Sequence, residues 1–235
     1  MWDNHFNLVI INWLGQFNGA SASFNQLMQY VEGAHLFKGL PVMGVLWFFW
    51  FRDTDPKSDT RRRIIATLVG CFVAVCIARV VNNLAPFQPR PFANAALAYH
   101  NYVGLGPRES QSLFDWNSFP SDHAALFFSL AMGIFFISRG FGAFVFLYVF
   151  VVIAMPRVYL GLHYPTDIVA GAALGMASVA LCASRAALRS VGDRCMRLLQ
   201  QYPAAFQTVL FIVSVEISMM FSDVRRFLTM LKYFL

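Results

Sequence analysis

The chain has 235 residues, 58% of them hydrophobic and 13% charged, with a formal net charge of +6. Soluble domains carry about 25% charged residues, so this composition, which includes 25 Phe, points to lipid as the solvent. Nucleic acid is a poor explanation of the positive charge, because the arginines stand between apolar runs and form no continuous basic face.

The chain opens on MWDNHFNLVIINWLGQFN, which has no Lys or Arg. It lacks the basic n-region of a cleaved signal peptide and is expected to be retained. Phe6, Val9, Ile10, Trp13, Leu14 and Phe17 recur at helical spacing, as do Phe24, Leu27, Met28 and Val31. With polar residues opposite, residues 1–33 read as amphipathic helices, either lying at the membrane interface or packing on the surface of a bundle.

A bilayer core about 30 Å thick needs about 20 apolar residues per helix. Candidate spans lie at 34–51, 64–85, 121–138, 141–158, 166–186 and 203–222. The expected architecture is all-α, a polytopic bundle of six transmembrane helices over 34–235 preceded by the amphipathic segment 1–33. The first span has a short charge-free core, 39–51, so Lys38 must snorkel or face protein. Cys71, Cys76, Cys182 and Cys195 lack metal-ligand spacing and read as free thiols. Glu216, in VSVEISMM, is an acid at mid-span. Pairing with Lys38 or Arg79, or contact with a partner chain, would account for it.

Lys and Arg set the orientation. Loop 52–63 holds five of them, the 138–140 link holds Arg139, and the loop 185–197 holds four arginines. Residues 1–33 hold none, and the long loop 86–119 holds two, Arg90 and Arg108. The positive-inside rule places the first group in the cytoplasm. The C-terminal tail, with Arg225, Arg226 and Lys232, runs against it.

Alternation of six spans brings FQPRPF (87–92), FPSDH (119–123) and PRVYLGLHYPTD (156–167) to the opposite face. Arg90 and Arg157 offer planar forks that match phosphate oxygens. Ser121 begins a helix, where free N–H groups and the dipole attract an anion. Pro165 suits the first turn of the next helix, which puts Asp167 one turn beyond His163. Its carboxylate can hold one imidazole nitrogen and leave the other as nucleophile. His123 then serves as general acid. Individually, Ser121 and Asp167 could be helix caps, and each histidine a polar tip at the headgroups. Their joint occurrence favours a phosphoryl-transfer site that needs no metal and no cofactor.

These residues resemble the type 2 phosphatidic acid phosphatase (PAP2) family of membrane phosphatases, whose motifs are written K-x6-R-P, P-S-G-H and S-R-x5-H-x3-D. Arg90-Pro91 looks like the end of the first, Pro120-Ser121-Asp122-His123 like the second, and Arg157, His163 and Asp167 match the third. The likeness spans about residues 79–170 in motif order and spacing. It implies that His163 attacks phosphorus, Asp167 orients it and His123 protonates the leaving oxygen. It implies further that Arg90, Arg157 and Ser121 hold the phosphate.

The sequence departs from that pattern at three places. Asn83 stands where the first motif has lysine, and the nearest upstream cation is Arg79, which either reaches the site or is a buried structural arginine. Asp122 replaces glycine, and its carboxylate must point away, cap the helix, pair with an arginine or favour a particular head group. Pro156 replaces the serine before Arg157.

The reading is an inner-membrane, multi-pass phosphatase with its site facing the exterior. It would act on a lipid phosphate or diphosphate, first of all undecaprenyl diphosphate, through a phosphohistidine. Phosphatidic acid, phosphatidylglycerol phosphate and lipid A phosphates are alternative substrates. Transfer of the phosphoryl group to another lipid is an alternative reaction, and an anion channel or transporter a non-enzymatic one. Loop 86–119 reads as a lid or a simple connector.

Overall fold

A computed structural model describes residues 4–18, 21–55, 58–94, 97, 114 and 116–221, and among these it is helical throughout, without a strand. The helices are α1 (His5–Asn18), α2 (Ala22–Gly33), α3 (His35–Arg52) and α4 (Thr60–Leu84). They continue with α5 (Asp122–Ile137), α6 (Arg139–Tyr159), α7 (Pro165–Cys182), α8 (Asp193–Gln201) and α9 (Pro203–Ser218). A π-helical stretch, Val149–Ala154, lies inside α6.

Six full spans do not emerge from these helices. Among the described residues α4, α6 and α7 are long and apolar enough to cross a membrane, and α2 with Phe37–Arg52 makes a fourth if their 49° bend is one broken span. Helices α5 and α9 have 16 residues each, about 24 Å at 1.5 Å per residue, which is short of a bilayer core. The reasons are local. Helix α5 starts only at the Ser121 cap and stops at Ser138, whose extended backbone (φ −146°, ψ 116°) turns the chain into α6. Helix α9 stops at Ser218, before Met220 and Phe221, which have φ of 57° and 54°. The expected loop 185–197 is instead largely helical, with Arg185–Ala187 and a π-helical stretch Leu188–Gly192 leading into α8. The tail cations Arg225, Arg226 and Lys232, and most of the expected lid 86–119, lie outside the described residues.

Helices α4, α5 and α7 form the centre of the molecule. Leu126, Phe127, Leu130 and Ile134 of α5 are fully buried there. Small residues bring the backbones together, as in membrane helix pairs generally. A Cβ on Gly171 would stand 2.3 Å from the Ser121 carbonyl, and one on Gly175 2.1 Å from the Ala125 carbonyl. That contact fixes the start of α7 against the start of α5. Phe51, Phe144, Leu147, Phe150 and Phe211 point outward and exposed. Apolar spans with so apolar an exterior are the architecture of a membrane protein.

The bundle has two chemically distinct ends. At one, Arg62 Nε meets Asp193 Oδ1 at 2.7 Å and Arg63 donates to the carbonyl of Phe136. At the other, the C-termini of α4 and α6 meet the N-termini of α5 and α7. Helices α1 and α2 pack on this second end, where Asn7 Nδ2 donates to Thr166 Oγ1 at 2.9 Å and Tyr159 Oη to Asn25 Oδ1 at 2.5 Å. All four cysteines are free thiols.

Candidate active site

The turn between α6 and α7 carries the third motif. Leu162 N–H bonds to the Arg157 carbonyl at 2.9 Å and Gly161 N–H to that of Val158 at 3.0 Å, the two bonds of a Schellman helix end. Gly161, at φ 69°, takes the left-handed conformation that such an end requires. The reversal sets Arg157 and His163 on one cavity. Pro165 then opens α7, and Asp167 Oδ2 reaches back to the N–H of Tyr164 at 2.9 Å.

Two neighbours fix the imidazole of His163. Nδ1 lies 2.9 Å from the Ser118 carbonyl, which can only accept. Nε2 lies 3.3 Å from Nη1 of Arg90, which can only donate. Both contacts demand the same tautomer: the proton is on Nδ1, and the Nε2 lone pair accepts from Arg90 at the cavity wall. Burial holds this imidazole below the ordinary histidine pKa, helped by the charges of Arg90 and Arg157 and opposed by Asp167. The Arg90 Nη1 also donates to the Leu162 carbonyl at 2.7 Å.

Asp167 stands further back than the spacing alone implied. Its Oδ2 is 3.6 Å from His163 Nδ1 and accepts from Ser118 Oγ at 2.5 Å. The direct grip on the ring is the Ser118 carbonyl, and Asp167 braces the segments on either side of it. Ser121 is buried, and its hydroxyl accepts from Ala124 N–H at 3.4 Å as the cap of α5. The Ser121 side chain does not line the cavity.

The departure in the second motif, Asp122, meets the upstream cation Arg79. Asp122 Oδ2 is 2.5 Å from Nη2 of Arg79, while its Oδ1 is 3.0 Å from Nδ1 of His123. Arg79 also lies over the ring of Trp116, 5.0 Å from its centroid. Asp122 therefore holds a cation and a histidine at once, and both face the cavity. Asn83 lines a shallower neighbouring hollow with Phe87 and Trp116. Its neighbour Asn82 lines the central cavity and donates to the carbonyls of Asn117 and Phe119 at 2.8 and 3.0 Å.

The central cavity encloses about 150 Å³ and brings together Arg79, Arg90, Asp122, His123, Arg157 and His163. Arg90 and Arg157 are 7% and 6% exposed, and the Nε of each has no hydrogen-bond partner among the described residues. Burial, with Arg157 and Arg79 nearby, pushes Arg90 down to about 10, against the pull of Asp122 and Asp167, so it stays a cation at neutral pH. Among the described residues no three His, Cys, Asp or Glu side chains form a group that could hold a metal.

Some members of the site have no motif to announce them. Asn117 Oδ1 accepts from the N–H groups of Gln88 and Phe119, both at 3.2 Å, and its Nδ2 faces the carbonyls of Asn82, Ala85 and Pro86. It ties the end of α4 to the start of α5. Asn117 and Ser118 adjoin FPSDH, so a wider reading of that segment reaches them. Glu32, whose Oε1 lies 2.6 Å from Arg157 Nη2, is 125 residues away in sequence and carries no local signal. It also pairs with Lys38 at 3.6 Å, so neither Lys38 nor Arg79 neutralises Glu216. The Glu216 Oε2 has no hydrogen-bond partner among the described residues.

The fold and this cavity define a helical membrane protein with a pocket lined by arginines and histidines at one end of its bundle. Residues 85–189 match the model of the PAP2 superfamily. The chain is 29% identical over 136 residues to "Bacitracin transport permease protein BcrC" of Bacillus licheniformis, covering 58% of this chain and 60% of that one. It is 24% identical over 163 residues to "Putative undecaprenyl-diphosphatase YbjG" of Escherichia coli K12, covering 69% and 73%. A third relative, "Lipid A 1-diphosphate synthase" of Escherichia coli K12, is 31% identical over 138 residues, covering 56% and 55%. The match thus spans less than two thirds of the first and third relatives. The crystal structure of Aquifex aeolicus LpxE shares the fold, with a TM-score of 0.50 and 23% identity over 77% of this chain and 96% of that one.

Proposed function

We propose that the protein is a phosphatase of membrane lipids that works through a phosphohistidine on His163. The observation that carries this reading is the double contact on the imidazole. It leaves an unprotonated Nε2 beside Arg90 on a cavity walled by two buried arginines whose Nε groups have no hydrogen-bond partner among the described residues. In the first step Nε2 attacks phosphorus while the bond to the leaving oxygen breaks. His123, whose Nδ1 lies 3.0 Å from Asp122 Oδ1, delivers the proton to that oxygen. Water then attacks the phosphorus–nitrogen bond, yields its proton to His123, and releases phosphate and His163. Arg90, Arg157 and Arg79 supply the positive charge that a metal ion supplies in other phosphatases. Asp167 acts through the Ser118 segment to keep the ring in place. Ser121 contributes through the start of α5, and Asn83 through the adjoining hollow.

The substrate we favour is a lipid diphosphate such as undecaprenyl diphosphate, in line with the name of one relative. Arg79 is shared between the central cavity and the adjoining hollow, which provides room beyond the reacting phosphate. We place the site at the outer face of the inner membrane, because the arginine-rich end lies opposite. Transfer to an acceptor lipid is the second reading, prompted by the name of another relative. A channel is disfavoured because Lys38 and Arg79 are both tied up in ion pairs close to the site. Phosphate release from a panel of lipid phosphates and diphosphates in detergent, with and without an acceptor lipid, tests the proposal. Free phosphate without acceptor supports hydrolysis, and acceptor-dependent turnover supports transfer. No turnover on any member refutes both.

A further inference from the structure

We propose that Glu32 is a positioning residue for Arg157 and that Lys38 offsets its charge, so that α2 completes the site. This rests on the phosphoryl-transfer reading above.

Glu32 lies in the last turn of α2 and lines the central cavity with His163 and Arg157. Its Oε1 takes a charge-assisted bond from Arg157 Nη2 at 2.6 Å and stands 3.6 Å from Lys38 Nζ. Lys38, on the far side of the bend between α2 and α3, also donates to the backbone carbonyl of Glu32. One ammonium thus holds both the main chain and the side chain of Glu32. Lys38 is 3% exposed, which a buried ammonium tolerates only with such partners.

A carboxylate facing a phosphate pocket is unfavourable unless its charge is met. Here one carboxylate is shared by two cations, and the cluster keeps a net charge of +1. Arg157 therefore still attracts an anion. One edge of its guanidinium is pinned by Glu32, and its Nε, without a hydrogen-bond partner among the described residues, remains for a phosphate oxygen. The arrangement fixes orientation without cancelling attraction.

The two effects separate in kinetics. The full chain in detergent is assayed for turnover of a lipid phosphate, with inorganic phosphate as competitive inhibitor. Glu32→Gln is expected to lower kcat by about tenfold to a hundredfold, the effect of a misplaced guanidinium. Its inhibition constant for phosphate should be unchanged or lower, because a negative charge has gone. Lys38→Gln should raise that constant by about fivefold or more, since Glu32 then opposes the anion directly. The double variant should return the constant to about the wild-type value while kcat stays low. Glu32→Asp keeps the charge but withdraws it, and should lower kcat with the constant unchanged. Wild-type kcat in Glu32→Gln, a parallel loss of phosphate binding, or a double variant whose constant stays as high as that of Lys38→Gln would overturn the inference. A wild-type protein inactive on every lipid phosphate would instead sink the underlying reading.

Discussion

Nε2 of His163 lies 3.3 Å from Nη1 of Arg90, while Nδ1 of the same ring lies 2.9 Å from the carbonyl of Ser118. A donor on one side and an acceptor on the other leave one tautomer, and it is the one a nucleophile needs. His163→Ala should therefore lower phosphate release by about a thousandfold or more. Its melting temperature in detergent should stay close to that of the wild type. Retained activity in the folded variant would remove His163 from the mechanism.

Burial and two neighbouring arginines hold His163 below the ordinary histidine pKa. The sign is direct. A lowered pKa means that the ring remains neutral, and nucleophilic, as pH falls through the ordinary value of about 6.5. The acid limb of kcat/KM, which reports the free enzyme, should have its midpoint below that value. A midpoint above it would argue that another group limits the reaction.

Asp122 departs from the family glycine, and Asn83 from the family lysine, yet the first residue grips Arg79 one helical turn before the second. Asp122→Gly restores the family residue but releases both Arg79 and His123, so kcat/KM should fall by about tenfold to a hundredfold. An unchanged rate would mean that the Arg79–Asp122 pair is incidental to catalysis.

How much of this was legible beforehand depended on range. Helical periodicity exposed the elements, and the three polar segments around Arg90, His123 and His163 announced a shared face. Each of those signals is local. The break at Ser138–Gly140 was readable to within a residue, because polar residues mark it, whereas the turn at Met220 depends on backbone conformation within a run that remains apolar. Helix α9 therefore ends at Ser218, short of the expected 222. The Glu32–Arg157 pair joins segments that no motif connects. The carbonyl of Ser118 could not be read at all, because main-chain atoms carry no residue code.

Gly171 lets α7 lie against α5, where an added Cβ would sit 2.3 Å from the Ser121 carbonyl. That atom is backbone and has little room to move. Gly171→Ala should cost about 1–3 kcal/mol of stability and part of the activity, read by thermal melting alongside phosphate release. Ala at the exposed Gly140, where a Cβ meets nothing within 4 Å, is the control and should leave both unchanged. Equal effects at the two positions would contradict the packing argument.

Arginines and histidines supply the charge neutralisation in this site, so millimolar chelator should leave the rate of the purified protein nearly unchanged. Strict dependence on an added divalent cation would require a different mechanism.

The central claim is that an imidazole, not water, first attacks phosphorus, and the stereochemical course at that atom tests it most directly. A lipid substrate made chiral at phosphorus with oxygen isotopes should release phosphate with retained configuration, the sum of two in-line displacements. Inversion would mean one direct attack by water and would contradict the account.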